Sequence, residues 1–179
     1  MSRRHALGFG TAVALGFGHP LSAWAWEPAP ERRLRLHHCV TGESFDGVYW
    51  AEGRPVPDAL ARIDWLMRDH HIDECRRIDL SLLHRLSEMQ ERLETDRPFE
   101  ILSGFRSLRT NQGMIERGIR AALHSFHIEG MAADIRVPGR RANLLYKLGL
   151  SQGGGGTGYY PRQGFVHLDS GPARRWVSA

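Results

Sequence analysis

Residues 125–137 read SFHIEGMAADIRV, and this stretch determines how the chain must fold around it. In a continuous helix the seven residues from His127 to Asp134 would rise about 10.5 Å, too far for both side chains to reach one metal ion. The chain must therefore turn between them, and Gly130 is placed to allow the turn. Beyond the glycine, apolar and polar residues alternate. This alternation predicts a half-buried strand with Asp134 on the face opposite the apolar side chains.

A second strand with the same alternation is predicted over residues 165–169, FVHLD. Val166 and Leu168 should face the core, while His167 and Asp169 share the other face with Phe165. A single histidine in a chain with ten is more often a surface residue than a ligand. Two imidazoles and one carboxylate together, however, are what a catalytic zinc uses when one position stays open for water. We therefore predict one zinc ion per chain, bound by His127, Asp134 and His167.

The frame around these residues resembles the zinc D,D-peptidase group (peptidase family M15), which acts on bacterial peptidoglycan. The match is closer to its periplasmic murein endopeptidase branch, and it extends from about Leu36 to Trp176. It rests on S-x-H-x-x-G-x-A-x-D, on F-V-H-x-D, and on the segments 101–107, 155–162 and 171–176. The resemblance implies the same three zinc ligands. It also implies an α+β fold with a small, mostly antiparallel sheet and flanking helices, the zinc fold of Hedgehog domains and D,D-peptidases.

The function implied by the resemblance is that of a zinc-dependent murein endopeptidase, which hydrolyses peptide crosslinks in peptidoglycan during cell-wall remodelling. Its binding partners would be peptidoglycan stem peptides. A D,D-carboxypeptidase that trims stem peptides uses the same kind of site. A zinc-stabilised peptidoglycan-binding module that has lost catalysis is the third alternative. The type of crosslink, between two D-residues or between two diaminopimelate centres, stays open.

Three further residues are predicted to contact the substrate. Arg106 is expected to stabilise the oxyanion or to bind a substrate carboxylate, because a guanidinium presents a fixed fork of donors to either group. The resemblance places an arginine in the corresponding segment at the end of a strand. Tyr159 and Tyr160 are expected to donate hydrogen bonds to the substrate.

The general base is where the sequence departs from the resemblance. Many relatives place a Glu, Asp or His two or three residues before the last zinc ligand, but here those positions are Gly164 and Phe165. Asp169 is the nearest titratable candidate on the same strand face, and we predict a catalytic role for it. It could equally hold a histidine in its ligating tautomer, and both roles stay open. His124 and Glu129 are weaker candidates.

Residues 1–25 are predicted to be a twin-arginine export signal, because Arg3 and Arg4 precede a short apolar run and Ala23-Trp24-Ala25 has a signal-peptidase pattern. We expect export to the periplasm, a single zinc peptidase domain over 26–179, and no stable membrane span after cleavage. An uncleaved interfacial anchor is the alternative.

Charge and cysteine content limit the other possibilities. The formal net charge is +4, and two of the basic residues lie in the predicted signal, so the remaining chain is nearly balanced. We find no arginine-rich tract and expect no nucleic-acid partner. In an oxidising compartment Cys39 and Cys75 permit a disulfide, but the sequence does not show that they are close enough to form one.

The remaining pattern predicts a compact α+β domain. Strands are expected over 33–40, from there to near Trp50, and over 99–103. Helices are expected from near Pro57 and from Asp79, and a short one over 140–148 should end at Gly149. The glycines of 153–156 are expected to link that helix to the final hairpin.

Overall fold

The computed structural model describes residues 30–119 and 121–178, and these form an α+β domain, as predicted. The predicted export signal lies outside the described residues. Within them, no helix combines the length and apolar character needed to cross a membrane. The strands are β1 Arg32–His38, β2 Ser44–Ala51, β3 Arg54–Pro55, β4 Phe99–Ser103, β5 Ala132–Arg136, β6 Gly156–Tyr160, β7 Phe165–Asp169 and β8 Arg174–Val177; the helices are α1 Pro57–Leu66, α2 Leu80–Arg92, α3 Leu108–Glu116 and α4 Ala142–Ser151.

One sheet joins all eight of these strands in the order β3-β2-β1-β4-β5-β7-β6-β8. Most neighbouring strands are antiparallel, whereas β1 and β4, and likewise β6 and β8, run parallel. The sheet is therefore mostly antiparallel, as predicted, but mixed. It is also not the small sheet that we expected, because it extends through the whole described domain.

Helices cover one face of the sheet, and that face holds the hydrophobic core. The predicted start of the second helix is confirmed, because the Asp79 side chain accepts a hydrogen bond from the Leu82 N–H and caps α2. Leu82 and Leu86 are fully buried, together with Leu34 and Leu36 of β1. The opposite face near β5 and β7 carries Asp134 and His167 beside several aromatic side chains.

The helices differ from the sequence-based expectations in two places. Helix α4 does not end at Gly149 but continues to Ser151. A Cβ atom at Gly149 would lie 2.8 Å from the Thr157 Cγ2 atom, so this glycine allows the helix to approach the sheet closely. Helix α3 was not predicted, because Asn111 is its one buried residue and an apolar stripe is missing.

Strand β8 was also not predicted, since its side chains are exposed apart from the half-buried Trp176. An edge strand with so little buried surface lacks the alternation that marks a strand in the sequence. Both cysteines, Cys39 and Cys75, are free thiols in the structure. The disulfide that the sequence permitted is therefore not formed.

Gly130 makes the turn that the spacing of His127 and Asp134 requires. Its φ angle is +70°, in the left-handed region that favours glycine. Its carbonyl accepts a hydrogen bond from the Asp79 N–H at 2.9 Å, which ties the turn to the start of α2. A Cβ atom here would lie 2.5 Å from the Arg77 carbonyl oxygen. The position therefore requires glycine for both conformation and space.

Substitution of Gly130 tests this reading. Gly130→Ala should lower the free energy of unfolding by about 3 kcal/mol, because backbone strain and a clash with Arg77 add together. Gly139→Ala is the matched control: Gly139 also has a positive φ, of +78°, but open space around it. It should cost about 1 kcal/mol. Urea denaturation measures both values, and equal losses would contradict the packing argument.

Candidate metal centre

The pairing of β5 with β7 places two of the predicted ligands side by side. Asp134 lies directly opposite His167 in the antiparallel register. Val166 and Leu168 are fully buried in the core, so His167 points to the other face, as the alternation predicts. The third candidate, His127, comes from the turn that precedes β5 and is also buried. The structure thus brings together residues that are forty positions apart in the chain.

Three donor atoms converge at this point. The Nδ1 atom of His167 lies 2.9 Å from Oδ1 of Asp134 and 3.3 Å from Nε2 of His127. The Nε2 atom of His127 lies 3.5 Å from the same Asp134 oxygen. Ligands about 2.0–2.2 Å from a tetrahedral zinc ion are separated by about 3.3 Å, so this triangle fits zinc. Among the described residues these three form the one His, Cys, Asp or Glu cluster with this geometry.

The second nitrogen of each imidazole is bound to a protein acceptor. Nδ1 of His127 donates to the Gly104 carbonyl oxygen at 2.7 Å, and Nε2 of His167 donates to Oδ2 of Asp169 at 2.9 Å. Such partners determine which nitrogen carries the proton and which way the ring faces. His127 would therefore bind a metal through Nε2, and His167 through Nδ1.

The charges at the centre stabilise each other. Burial alone would raise the pKa of Asp134, but the imidazoles of His127 and His167 outweigh it and hold this pKa well below its usual range. Burial lowers the pKa of His167, but hydrogen bonds to Asp134 and Asp169 reverse that effect and raise it. A cation is thus favoured at this position, either a proton on His167 or a metal ion.

Asp169 lies on the side of the His167 ring away from the three donor atoms. Its side chain is fully buried, and its two oxygens accept hydrogen bonds from the Arg174 guanidinium at 2.9 and 2.7 Å. The backbone N–H groups of Gly156 and Gly171 donate to Oδ1 as well. Burial opposes ionisation of Asp169, but His167 and Arg174 outweigh it and lower its pKa. The sequence left two roles open for Asp169, general base or hydrogen-bond partner of a ligating histidine. This geometry suits the second role, with His167 as the histidine.

Arg106 lies beside the centre with unused hydrogen-bonding capacity. It lines a cleft of about 470 Å³ together with all three ligand candidates. Its guanidinium contacts Oγ of Ser125 and Sδ of Met114, both at 3.2 Å, and its Nε atom is buried without a partner among the described residues. Burial lowers the pKa of Arg106, whereas Asp134, Asp69 and Tyr160 act in the opposite direction. The position suits recognition of an anionic group.

The two predicted tyrosines are separated by the alternation of β6. Tyr160 pairs with Phe165 and lines the cleft. Tyr159 pairs with Val166 on the core side, and its ring stacks on Tyr146 of α4 at a centroid distance of 5.5 Å. The structure therefore places Tyr160 in the cleft and Tyr159 against the core.

The two weaker candidates for the general base, Glu129 and His124, lie in different places. Glu129 lies at the surface, where its carboxylate pairs with Arg76 at 3.0 Å. His124 is exposed and lines the cleft. Among the cleft residues in the described part of the chain, Asp134 is the one that carries a carboxyl group.

Other residues that support the centre were missed in the sequence. Arg85 of α2 donates to the carbonyl oxygens of Asp169 and Gly156, which fixes β7 against the start of β6. An arginine at a core-facing position of an amphipathic helix was the available signal. Arg174 and Trp176 lie inside the motif that carries the resemblance, but nothing local assigns them a role. The carbonyl of Gly104 is a backbone group, so its contact leaves no trace in the sequence.

Comparisons with known proteins cover nearly the whole chain. Residues 27–176 match the model of the family described as peptidoglycan L,D-endopeptidase MepK. The protein of that name from Escherichia coli strain K12 is 36% identical over 177 residues, which cover 98% of this chain and 97% of the relative. A probable peptidoglycan L,D-endopeptidase MepK from Haemophilus influenzae is 32% identical over 167 residues, 92% of this chain and 90% of the relative. These matches confirm the resemblance inferred from the motifs.

Substitution of Asp169 separates its two candidate roles. Asp169→Asn should weaken zinc binding about 10-fold to 100-fold, because the amide loses the charge that pairs with Arg174 and orients His167. Competition with a chromogenic chelator measures the affinity. Asp46→Asn, which removes an exposed partner of Arg33, is the matched control and should leave the affinity unchanged. Lost turnover with unchanged zinc affinity would favour the base instead.

Proposed function

The chain belongs to the family described as peptidoglycan L,D-endopeptidase MepK, and we propose that it is a zinc-dependent peptidoglycan endopeptidase. The observation that carries the proposal is the triangle of donor atoms from His127, Asp134 and His167, which lies in an open cleft. A donor set of three protein side chains with a free position is typical of catalytic zinc. The proposed site of action is the periplasm, reached through the twin-arginine signal over residues 1–25.

The proposed substrate is a crosslink between two diaminopimelate residues. The names of the relatives specify an L,D bond, in which an L-centre supplies the carbonyl and a D-centre supplies the nitrogen. In this crosslink the D-centre also bears a free carboxylate next to the bond that is cut. We assign recognition of that carboxylate to Arg106, because its half-buried guanidinium lines the cleft and its Nη1 and Nη2 atoms each have a second N–H beyond the one contact that they make.

A bound zinc ion would polarise the scissile carbonyl and lower the pKa of a water molecule. The protein residues orient the ligands, align the substrate and accept a proton. Asp169 and the Gly104 carbonyl keep His167 and His127 in their ligating tautomers. Arg106 aligns the substrate through its carboxylate. Once Asp169 is assigned to His167, His124 is our candidate for the proton acceptor, because it is exposed and lines the cleft.

Two other functions of the same site remain as alternatives. A carboxypeptidase would remove a terminal D-alanine with the same ligands. A zinc-stabilised binding module without catalysis is favoured by one observation, which is that Asp134 is the one cleft residue with a carboxyl group in the described part of the chain. The product of the reaction separates all three.

Digestion of intact sacculi tests the proposed function. Purified mature protein should remove dimers crosslinked between two diaminopimelate residues and release the corresponding monomers. A chelator should stop the reaction, and added zinc should restore it. His167→Ala is the control without a complete centre. Muropeptide profiles that show no loss of dimers would favour the binding module, whereas release of single D-alanine would favour the carboxypeptidase.

The role of Arg106 is tested by a substitution that keeps its charge. Arg106→Lys should lower kcat/KM about 10-fold to 100-fold, because a lysine cannot reproduce the forked hydrogen bonds of a charged pair. Arg109→Lys is the matched control, since Arg109 is exposed outside the cleft. A substrate whose carboxylate next to the scissile bond is amidated should be equally poor for the wild type and for Arg106→Lys. If Arg106→Lys still had a kcat/KM about 10-fold to 100-fold below that of the wild type on the amidated substrate, carboxylate recognition would be contradicted.

A further inference from the structure

Trp176 occupies a space that only a glycine leaves open. Gly158 of β6 pairs with Trp176 of β8 on one side and with His167 of β7 on the other. A Cβ atom at Gly158 would lie 2.3 Å from Cε2 of the indole, so the indole lies directly against the glycine backbone. The ring therefore covers the cleft face of the sheet, with its centroid 5.1 Å from that of His167.

The indole is joined to the Tyr160 hydroxyl. Nε1 of Trp176 donates a hydrogen bond to this oxygen at 3.2 Å. The Tyr160 ring also stacks on Phe165, with a centroid distance of 4.3 Å and an interplanar angle of 10°. The phenol is thus held at its ring and at its oxygen. All three aromatic side chains line the cleft that holds the candidate ligands.

The direction of this hydrogen bond determines what the hydroxyl can do. A phenol oxygen can accept hydrogen bonds and can donate one. The indole N–H can only donate, so it occupies an acceptor position of Tyr160. The indole cannot take up the phenol proton, which therefore stays available to an acceptor in the cleft. In this arrangement the Tyr160 hydroxyl is a hydrogen-bond donor toward the cleft.

We propose that Trp176 is a positioning residue that orients the Tyr160 hydroxyl to donate a hydrogen bond to the scissile carbonyl oxygen. The inference rests on the proposed peptidase function and assigns a second donor to that site, distinct from Arg106. Negative charge develops on this oxygen during amide hydrolysis, and a fixed donor stabilises it more than the uncharged carbonyl. The contribution should therefore appear in kcat more than in KM.

A double-mutant cycle on the zinc-loaded protein tests the proposal. Tyr160→Phe removes the hydroxyl and should lower kcat about 100-fold. Trp176→Phe keeps an aromatic ring against Gly158 but removes the N–H, and should lower kcat about 10-fold. The double variant should be no slower than Tyr160→Phe, because Trp176 acts through the hydroxyl. Tyr146→Phe, which removes a phenol hydroxyl on the other side of the sheet, is the control and should keep wild-type kcat.

A second readout does not depend on turnover. In ¹H–¹⁵N spectra the indole N–H of Trp176, identified by its loss in Trp176→Phe, should shift in Tyr160→Phe and exchange faster with solvent. Tyr146→Phe should leave this resonance in place. An unchanged indole resonance in Tyr160→Phe would overturn the proposal, because the contact would then be missing.

Three further results would overturn it. Additive losses in the double variant would mean that Trp176 acts without Tyr160. Wild-type kcat in Tyr160→Phe would remove the donor role, and a lower zinc content in Trp176→Phe would place its effect on His167. Failure of the proposed function is distinguishable, since the wild type would then cleave no crosslink while the indole resonance still responded to Tyr160→Phe.

Discussion

The pairing of β5 with β7 is the constraint on which the rest of the site depends. It sets Asp134 directly opposite His167, with the donor atoms of the two side chains 2.9 Å apart. Because successive side chains of a strand alternate between faces, a slip of β7 by one residue would turn His167 toward the core and expose Val166 and Leu168. The apolar core therefore determines the register, and the register determines which donor atoms meet at the candidate metal centre. His127 completes the centre only because Gly130 turns the chain back before β5 begins.

Behind the centre lies a second set of charged groups that holds it in place. The buried carboxylate of Asp169 joins His167 to Arg174, and Arg85 binds the backbone carbonyl of the same residue. Buried charges of this kind add little net stability, because desolvation offsets most of their attraction. Their value here is geometric, since an imidazole that binds a metal must present one nitrogen in one direction. Loss of one partner would disturb this orientation and also lower stability, because it leaves a buried charge without its counter-charge.

The two faces of the sheet carry different kinds of side chain. Helices α1, α2 and α4 cover the core side, where the apolar residues are buried. The cleft side carries the candidate ligands, Arg106, and an aromatic wall built from Tyr160, Phe165 and Trp176. This division explains why neighbouring tyrosines differ in environment, since Tyr159 packs against α4 and Tyr160 faces the cleft. Glu129, although close to His127 in sequence, lies in the turn before β5 and pairs with Arg76 at the surface.

The sequence by itself determined the local features. These features are the alternation around Asp134 and His167, the turn at Gly130, the Asp79 cap and the apolar stripe of α2. Each depends on residues that are close together in the chain, so local periodicity reveals it. The tertiary structure decided the relations across the sheet. It turned Asp169 toward the far side of His167, put Gly149 inside α4, left Cys39 and Cys75 unpaired, and laid Trp176 over Gly158. These outcomes depend on which strands become neighbours and in which register, and those choices follow from burial of the whole core, which no local pattern contains.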